Sequence, residues 1–137
     1  MRLWHQSLIP LLPRQQLLGQ HRECCALRGA GWGRPHSVVN YVFKHDPSYL
    51  VAYHWLIMDE MKRRGYNPDT TWYDTDYRGS RLGFVKDWCD YYEVQYAHGW
   101  AQADNSMIYF EHNDAYLQEC LDNLESKGIY LNVDTNL

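Results

Sequence analysis

Hydrophobic side chains recur at helical spacing in three stretches of the chain, and the first of these begins near Pro13. Its apolar stripe runs to about Arg28 and consists of Leu17, Leu18, His21, Cys24, Cys25 and Leu27. Residues three and four positions apart share one face of a helix, and proline is well tolerated in a first turn. The pattern therefore predicts a first helix that starts near Pro13, with Gln15, Arg22 and Glu23 on its other faces.

Gly19 stands inside this first helix, one turn before Glu23. A glycine within a helix costs about 1 kcal/mol relative to alanine. We therefore expect the N-terminal arm or a ligand to approach the helix backbone closely at this position.

The second and third helices carry their own start and stop signals. Asp46-Pro47 is a strong start, with the aspartate as N-cap, and Gly65 ends a helix that spans about Pro47–Arg64. Its inward positions are Leu50, Val51, His54, Ile57, Met58 and Met61. A third helix is predicted to start within Glu111–Asp114 and to end at Gly128, with Tyr116, Leu117, Cys120, Leu121 and Leu124 on its apolar side.

The segments between these helices show no sustained periodicity. Residues 1–13 are predicted to form an irregular arm, because Pro10 and Pro13 interrupt it. Residues 67–110 are rich in Tyr, Trp and Asp, which indicates loops and at most one short helix around Val85–Tyr92. Ile129–Val133 fits either a short strand or an extended tail. The prediction is a mainly α, compact single domain over residues 1–137, with three principal helices and long irregular Tyr/Trp-rich connections.

Composition agrees with a globular domain and excludes two classes of protein. Hydrophobic residues make up 45% of the 137 positions, but no apolar run approaches the eighteen residues that a membrane span needs. The short apolar stretch at residues 8–12 is broken by proline and is not a signal peptide. The four cysteines include the adjacent pair Cys24 and Cys25, which suits neither a disulfide framework nor a C-x-x-C metal clip. We therefore expect buried thiols in a cytoplasmic protein.

The charge is divided unevenly along the chain, although the total is only −4. Residues 1–68 hold nine Lys or Arg against four Asp or Glu, and the remaining residues hold four against thirteen. Such asymmetry is typical of a surface that binds a polyanion, or of two halves that attract each other. The run Lys62-Arg63-Arg64 indicates a solvated helix C-terminus, with a phosphate contact as the alternative.

Glu23 is the only acidic residue among the first forty-five positions, where it has five arginines around it in sequence: Arg2, Arg14, Arg22, Arg28 and Arg34. Nearby positive charge keeps a carboxylate ionised and also attracts phosphate. Two interpretations remain open at this point. Glu23 is either a surface residue paired with a neighbouring arginine, or a carboxylate placed to act on an anionic polymer.

The N-terminal amine is the second candidate for chemistry. An α-amine titrates near about pH 8, so part of it is neutral under physiological conditions, and a neutral amine forms a Schiff base with a sugar aldehyde carbon. Arg2 is a long residue and should hinder removal of Met1, so the amine belongs to Met1. The seven histidines are scattered without metal-ligand spacing, and we predict neither a metal nor another cofactor.

These residues together resemble the pyrimidine dimer DNA glycosylases of the phage endonuclease V type. The resemblance runs through Arg2, then Gln15 and Leu17 with Arg22-Glu23 on the first helix, then His36 and the helix end at 62–67. It covers roughly residues 1–68, while residues 69–110 form a divergent insertion or loop region. The opening sequence is similar to that of an uncharacterised bacterial branch of this family.

The resemblance implies a DNA repair glycosylase and AP lyase that acts on pyrimidine-dimer or abasic DNA. The Met1 amine would attack C1′ of the damaged nucleotide and expel the base, and the imine would undergo β-elimination. Glu23 would assist ring opening and proton transfer. The implied DNA-contacting residues are Arg2, Gln15, Arg22, Arg28, His36 and Arg64. The implied partner is damaged double-stranded DNA, bound by a monomer that is nucleoid-associated when bound and makes no membrane contact.

Two other functions remain open from the sequence alone. One is a non-catalytic nucleic-acid-binding module on the same fold, which would bind DNA in a salt-dependent way and form no covalent intermediate. The other is an enzyme that depends on a metal or a small molecule and uses the histidine-rich centre.

Overall fold

The computed structural model describes residues 1–133 and confirms the mainly helical class. Its α-helices are α1 (Arg14–Arg28), α2 (Pro47–Arg63), α3 (Tyr91–Asp104) and α4 (Asp114–Ser126). Three short 3₁₀ helices, Gln6–Leu11, Asn40–Lys44 and Thr70–Tyr73, lie in the connections. Three of these four α-helices correspond to the three predicted principal helices, and α3 lies in the segment predicted to be mostly irregular.

The two N-terminal helices follow their sequence signals closely. In α1, Leu17, Cys24 and Leu27 are buried, and Pro13 immediately precedes the first turn. In α2, the Asp46 side chain accepts a hydrogen bond of 2.9 Å from the Ser48 N–H, as expected of an N-cap. Helix α2 packs against both α1 and α3, so it forms the centre of the domain.

Helix α3 is where the predicted long irregular connection is wrong. The expected short helix around Val85–Tyr92 lies at Tyr91–Asp104 instead, and the Asp90 side chain caps it by accepting from the N–H groups of Tyr92 and Glu93. Only Val94 and Ala101 of this helix are buried. Because several of its aromatic side chains point to solvent, no apolar stripe marks the helix in the sequence.

Helix α4 and the segment after it complete the packing around the arm. The helix starts at Asp114 behind the N-cap Asn113, and Cys120 and Leu124 are its buried residues. Residues 129–133 form neither a helix nor a strand, and Ile129, Leu131 and Val133 pack against the core. The extended tail was one of the two predicted forms of this segment. Among residues 1–133, no helix combines the length and the apolar character needed to cross a bilayer.

Arg28 lies in the interior, where it binds the segment that follows α2. Its side chain is fully buried, and the guanidinium donates to the carbonyl oxygens of Trp72 at 2.6 Å, Asp74 at 2.8 Å and Tyr77 at 2.9 Å. A fourth contact of 3.0 Å joins it to Nδ1 of His54. The predicted phosphate contact by Arg28 therefore does not occur in this arrangement, because its hydrogen bonds hold residues 72–77 against α1 and α2.

Replacing Arg28 should destabilise the protein strongly. Arg28→Met keeps the length of the side chain but leaves three buried carbonyl oxygens without a donor, which we expect to lower the free energy of unfolding by about 3–5 kcal/mol. Urea unfolding followed by tryptophan fluorescence measures this loss. Arg22→Met on the exposed side of the same helix is the control and should change the free energy by less than about 0.5 kcal/mol. Equal effects of the two substitutions would contradict the structural role.

Candidate active site

The N-terminal arm is buried along most of its length, which fixes the position of the chain terminus. Leu3 is fully buried and Trp4 is 6% exposed, while Met1 remains 47% exposed at the mouth of a pocket. The Tyr116 hydroxyl donates to the Leu3 carbonyl oxygen, and the Gln6 N–H donates to Nδ1 of His112 at 3.0 Å. Contacts from α4 and from the turn before it therefore hold the arm in place.

His112 makes this anchoring sensitive to pH. Its imidazole is 2% exposed, and burial lowers its pKa from the usual 6.5 to about 3, with a smaller contribution from His5. As the pH falls, His112 in the unfolded chain binds a proton near pH 6.5, whereas in the folded chain it binds one only near pH 3. The stabilisation is therefore complete above pH 6.5 and is lost progressively as the pH falls toward 3.

We expect the free energy of unfolding to decrease with acidification in this window, by up to about 1.4 kcal/mol per pH unit from this histidine. His112→Gln should reduce that slope by the amount that corresponds to about one bound proton. Urea titrations at several pH values between 4 and 7 measure it. His36→Gln, at an exposed histidine, is the control and should leave the slope unchanged. A slope that the His112 substitution does not alter would contradict the assignment.

A pocket of about 190 Å³ lies at the chain terminus and is lined by Met1, Arg2, Trp4, Glu23, Val38, Asn123 and Lys127. Four parts of the chain build it: the arm, α1, the loop before α2, and the end of α4. Of the residues implied by the resemblance, Met1, Arg2 and Glu23 share this pocket. The structure thus brings the N-terminal amine and the helix-one carboxylate into one site.

The Glu23 carboxyl group is half-buried in this pocket. Burial raises its pKa above the ordinary value of 4.5, and four weaker influences oppose the rise: the Met1 ammonium, the backbone of Arg2, Lys127 and Arg22. Its Oε2 also accepts a hydrogen bond of 3.0 Å from Nε2 of Gln20. A carboxyl group with a raised pKa beside an amine is suited to proton transfer.

Two cations flank Trp4 at the pocket. The Arg2 guanidinium carbon lies 5.8 Å from the Trp4 ring centre, and the Lys127 Nζ lies 5.3 Å from it. Arg2 also makes a 3.8 Å ion pair with the exposed Glu119. The pocket is therefore locally positive, although the chain as a whole carries a net charge of −4.

The other implied DNA-contacting residues do not line this pocket. Gln15 and Arg22 are exposed on α1, seven residues apart and thus on the same helix face. His36 is also exposed, and Val38 lines the pocket in its place. Arg64 has a structural role, since it pairs with Glu60 at 2.7 Å and donates to the Leu12 carbonyl oxygen at 2.7 Å.

Gly19 lies between Gln15 and Arg22 on the exposed face of α1. A Cβ atom added there would meet only the Arg22 guanidinium, at 3.8 Å, which is ordinary contact. The expected close approach by the N-terminal arm at this residue is therefore wrong. The space above Gly19 is open to the outside of the molecule.

His21, Cys25 and His54 form a second cluster of polar side chains, between α1 and α2. Their potential ligand atoms lie within 4.8 Å of one another, and Nδ1 of His21 is 2.8 Å from Nε2 of His54. Arg28 can only donate, so Nδ1 of His54 must accept its hydrogen bond and the ring proton resides on Nε2. That proton points at His21, so this tautomer leaves Nε2 of His54 without a lone pair for a metal ion. The cluster is better described as a hydrogen-bonded chain from Arg28 to His21.

Sequence reasoning missed five residues at the site. Trp4, Val38, Asn123 and Lys127 line the pocket, and Gln20 links the arm to Glu23. Gln20 and Asn123 lie within predicted helices as ordinary polar residues, and nothing in their local sequence distinguishes them. Lys127 had one signal, because it immediately precedes the predicted helix end at Gly128, but its approach to residue 1 depends on the tertiary fold.

Comparison with known proteins gave one match. The sequence model of a family described as pyrimidine dimer DNA glycosylase matches residues 1–74, which include the arm, α1 and α2. Searches of curated proteins and of solved structures found no significant match.

Proposed function

Because the chain belongs to the pyrimidine dimer DNA glycosylase family, a family of DNA repair enzymes, we propose that it is a DNA glycosylase and AP lyase that uses the Met1 amine as nucleophile and Glu23 as acid and base. The observation that carries this proposal is the shared pocket: Met1 and Glu23 line the same 190 Å³ cavity. These residues are twenty-two positions apart in sequence, and Met1 is 47% exposed.

The proposed reaction begins with the neutral Met1 amine. Its lone pair attacks C1′ of the damaged nucleotide, and the bond between C1′ and the base breaks. The base leaves with the bonding electrons and takes up the proton that the attacking amine loses. The protonated carboxyl of Glu23 gives its proton to the sugar ring oxygen, so that the ring opens and a cationic imine forms. The Glu23 carboxylate then takes a C2′ proton, and the bond between C3′ and its oxygen breaks, so that the 3′ phosphate leaves with the electron pair and the strand is cut.

The environment of Glu23 suits both of its proposed roles. Burial raises the pKa of Glu23 above 4.5, which favours the protonated form that gives its proton to the sugar. Once ionised, the same carboxylate stabilises the positive charge of the imine. The Met1 ammonium opposes this rise in pKa, so burial of Glu23 is what favours its protonated form.

Phosphate binding is proposed for the cations around the pocket and along α1. Lys127 and Arg2 lie at the pocket itself, and Arg22 extends the positive surface along the helix. The open backbone at Gly19 allows a DNA strand to lie close to α1 between Gln15 and Arg22. Arg28 and Arg64 are not included, because the hydrogen bonds described above already engage their guanidinium groups.

Borohydride trapping tests the proposal. The protein, prepared with a native and untagged N-terminus, is incubated with duplex DNA that carries an abasic site or a pyrimidine dimer, and the imine is reduced. A covalent protein–DNA adduct on the abasic duplex is the expected result, and an adduct on the dimer duplex would identify glycosylase activity as well. Salt-dependent DNA binding without any adduct would favour the non-catalytic binding module instead.

A further inference from the structure

Gln20 makes hydrogen bonds both to the N-terminal arm and to Glu23. It is 1% exposed. Its Oε1 accepts from the Trp4 N–H at 2.6 Å, and its Nε2 donates to the Arg2 carbonyl oxygen at 2.8 Å and to Glu23 Oε2 at 3.0 Å. The Tyr53 hydroxyl completes the set, at 3.0 Å from Gln20 Oε1 and 2.6 Å from the Trp4 carbonyl oxygen.

These partners determine the orientation of the Gln20 amide. The Trp4 N–H can only donate, so it must face the amide oxygen, and the Arg2 carbonyl can only accept, so it must face the amide nitrogen. One of the two Nε2 protons is therefore committed to the arm. The second proton is left for Glu23, and the amide can make this bond only in the orientation that also holds the arm.

The bond to the Arg2 carbonyl limits where the Met1 amine can lie. Consecutive Cα atoms are about 3.8 Å apart, so the amine is only one residue away from an anchored carbonyl. Because one amide group binds both this carbonyl and the Glu23 carboxylate, the amine and the carboxylate are held relative to each other through a single rigid unit.

The bond to Glu23 has an electrostatic effect as well as a geometric one. A hydrogen bond donated to a carboxylate favours its charged form, so it opposes the effect of burial. The charged groups that act on Glu23 are the Met1 ammonium, Lys127 from the end of α4 and Arg22 from α1. None of these is removed by a change at Gln20, so any effect of such a change on Glu23 ionisation comes from the lost amide bond and the displaced arm.

We propose that Gln20 is a positioning residue, which sets the separation of the Met1 amine from Glu23 and orients the Glu23 carboxylate for proton transfer. This inference rests on the proposed function, since it assigns a role within the same pocket. Gln20 does not contact the sugar. It acts through the two groups that do, and its loss should therefore alter their reactivity more than it alters DNA binding.

The test is the pH dependence of abasic-site cleavage under single-turnover conditions. In Gln20→Glu, the new carboxylate can still accept from the Trp4 N–H but brings a second negative charge beside Glu23, which raises the pKa of the pair. We expect the acid limb of the rate profile to move up by about one pH unit and the maximal rate to fall about 10–100-fold. The dissociation constant for abasic DNA should change less than about threefold.

Two further variants separate positioning from mere stability. Gln20→Asn keeps the amide but withdraws it by about 1.5 Å, the length of one carbon–carbon bond, and should move the acid limb in the same direction. Tyr53→Phe is the matched control: it loosens the arm at the Trp4 carbonyl but leaves the bond from Gln20 to Glu23. Its melting temperature should fall as in the Gln20 variants, while its acid limb should coincide with that of the unchanged protein.

The inference is overturned if folded Gln20→Glu or Gln20→Asn protein retains the unchanged acid limb and maximal rate, or if Tyr53→Phe shifts the limb equally. Its failure can be told apart from failure of the proposed function. If imine trapping succeeds and the Gln20 variants behave like the unchanged protein, only the role of Gln20 is lost. If the unchanged protein gives no imine on abasic DNA, both proposals fail together.

Discussion

Glu23→Gln should lower the single-turnover rate of abasic-site cleavage by at least about 10²-fold, the usual effect of removing a positioned proton-transfer group. The amide has nearly the shape of the carboxyl group, but it neither supplies a proton to the ring oxygen nor neutralises the cationic imine. Affinity for the abasic duplex should be retained or should increase slightly, because a negative charge leaves a pocket that faces phosphates. Gel-based cleavage assays and fluorescence anisotropy measure the two quantities separately.

Glu119→Gln is the matched control for this substitution. Glu119 makes the 3.8 Å ion pair with Arg2 and is 64% exposed at its side chain, so the control removes the same charge from the vicinity of the pocket without touching Glu23. Its cleavage rate should stay within about twofold of the unchanged protein. Equal cleavage rates for the two variants would show that Glu23 contributes charge alone and would refute its proposed role in proton transfer.

Blocking the Met1 amine should eliminate the trapped adduct altogether. Acetylation of the N-terminus, or a short Gly-Ser extension before Met1, either removes the nucleophilic lone pair or moves the amine out of the pocket, while the phosphate contacts remain. We expect strand cleavage to fall to the spontaneous rate of the abasic DNA, whereas DNA binding should change only slightly. The same Gly-Ser extension at the C-terminus is the control and should leave trapping intact.

Lys127 carries a second amine at the pocket, so the residue on which the adduct forms tests the assignment of the nucleophile. Its amine lines the same pocket as Met1, so it is the alternative nucleophile in the immediate surroundings. Proteolysis of the reduced adduct followed by mass spectrometry should locate the sugar on the peptide that begins at Met1. An adduct on Lys127, or one that persists when the N-terminus is blocked, would contradict the assignment of the nucleophile.

The charge distribution explains how a net acidic chain could still bind DNA at this pocket. The pocket itself carries Arg2, Lys127 and the terminal ammonium around the half-buried Glu23. Most of the acidic residues belong to positions 69–137, and of these Glu119 lies beside the pocket, paired with Arg2 at 3.8 Å. At an ionic strength near 0.15 M the screening length is about 8 Å, so the charges at the pocket count for more than acidic groups elsewhere on the chain.

The amino-acid sequence by itself determined the helices whose signals are local. The apolar stripe of α1, the Asp46-Pro47 start of α2 and the stripe of α4 each depend on residues a few positions apart, and all three helices formed where the pattern indicated. The sequence also set Glu23 apart as the one acid among the early arginines, and it indicated the Met1 amine as its partner. The helices agree with the pattern because helix formation depends on near neighbours. The expectation that nearby arginines keep Glu23 ionised is wrong, because burial raises its pKa.

The tertiary structure decided what depends on distant contacts. Helix α3 exposes most of its aromatic side chains, so its end caps and its packing against α2 stabilise it without an apolar stripe. Nothing in the sequence distinguishes Arg28 from a surface arginine. In the structure, the carbonyl groups of residues 72–77 enclose it. Likewise, Gln20 and Lys127 reach the chain terminus only because the arm is buried between α1 and α4. Burial and long-range hydrogen bonding, rather than residue type, give these side chains their roles.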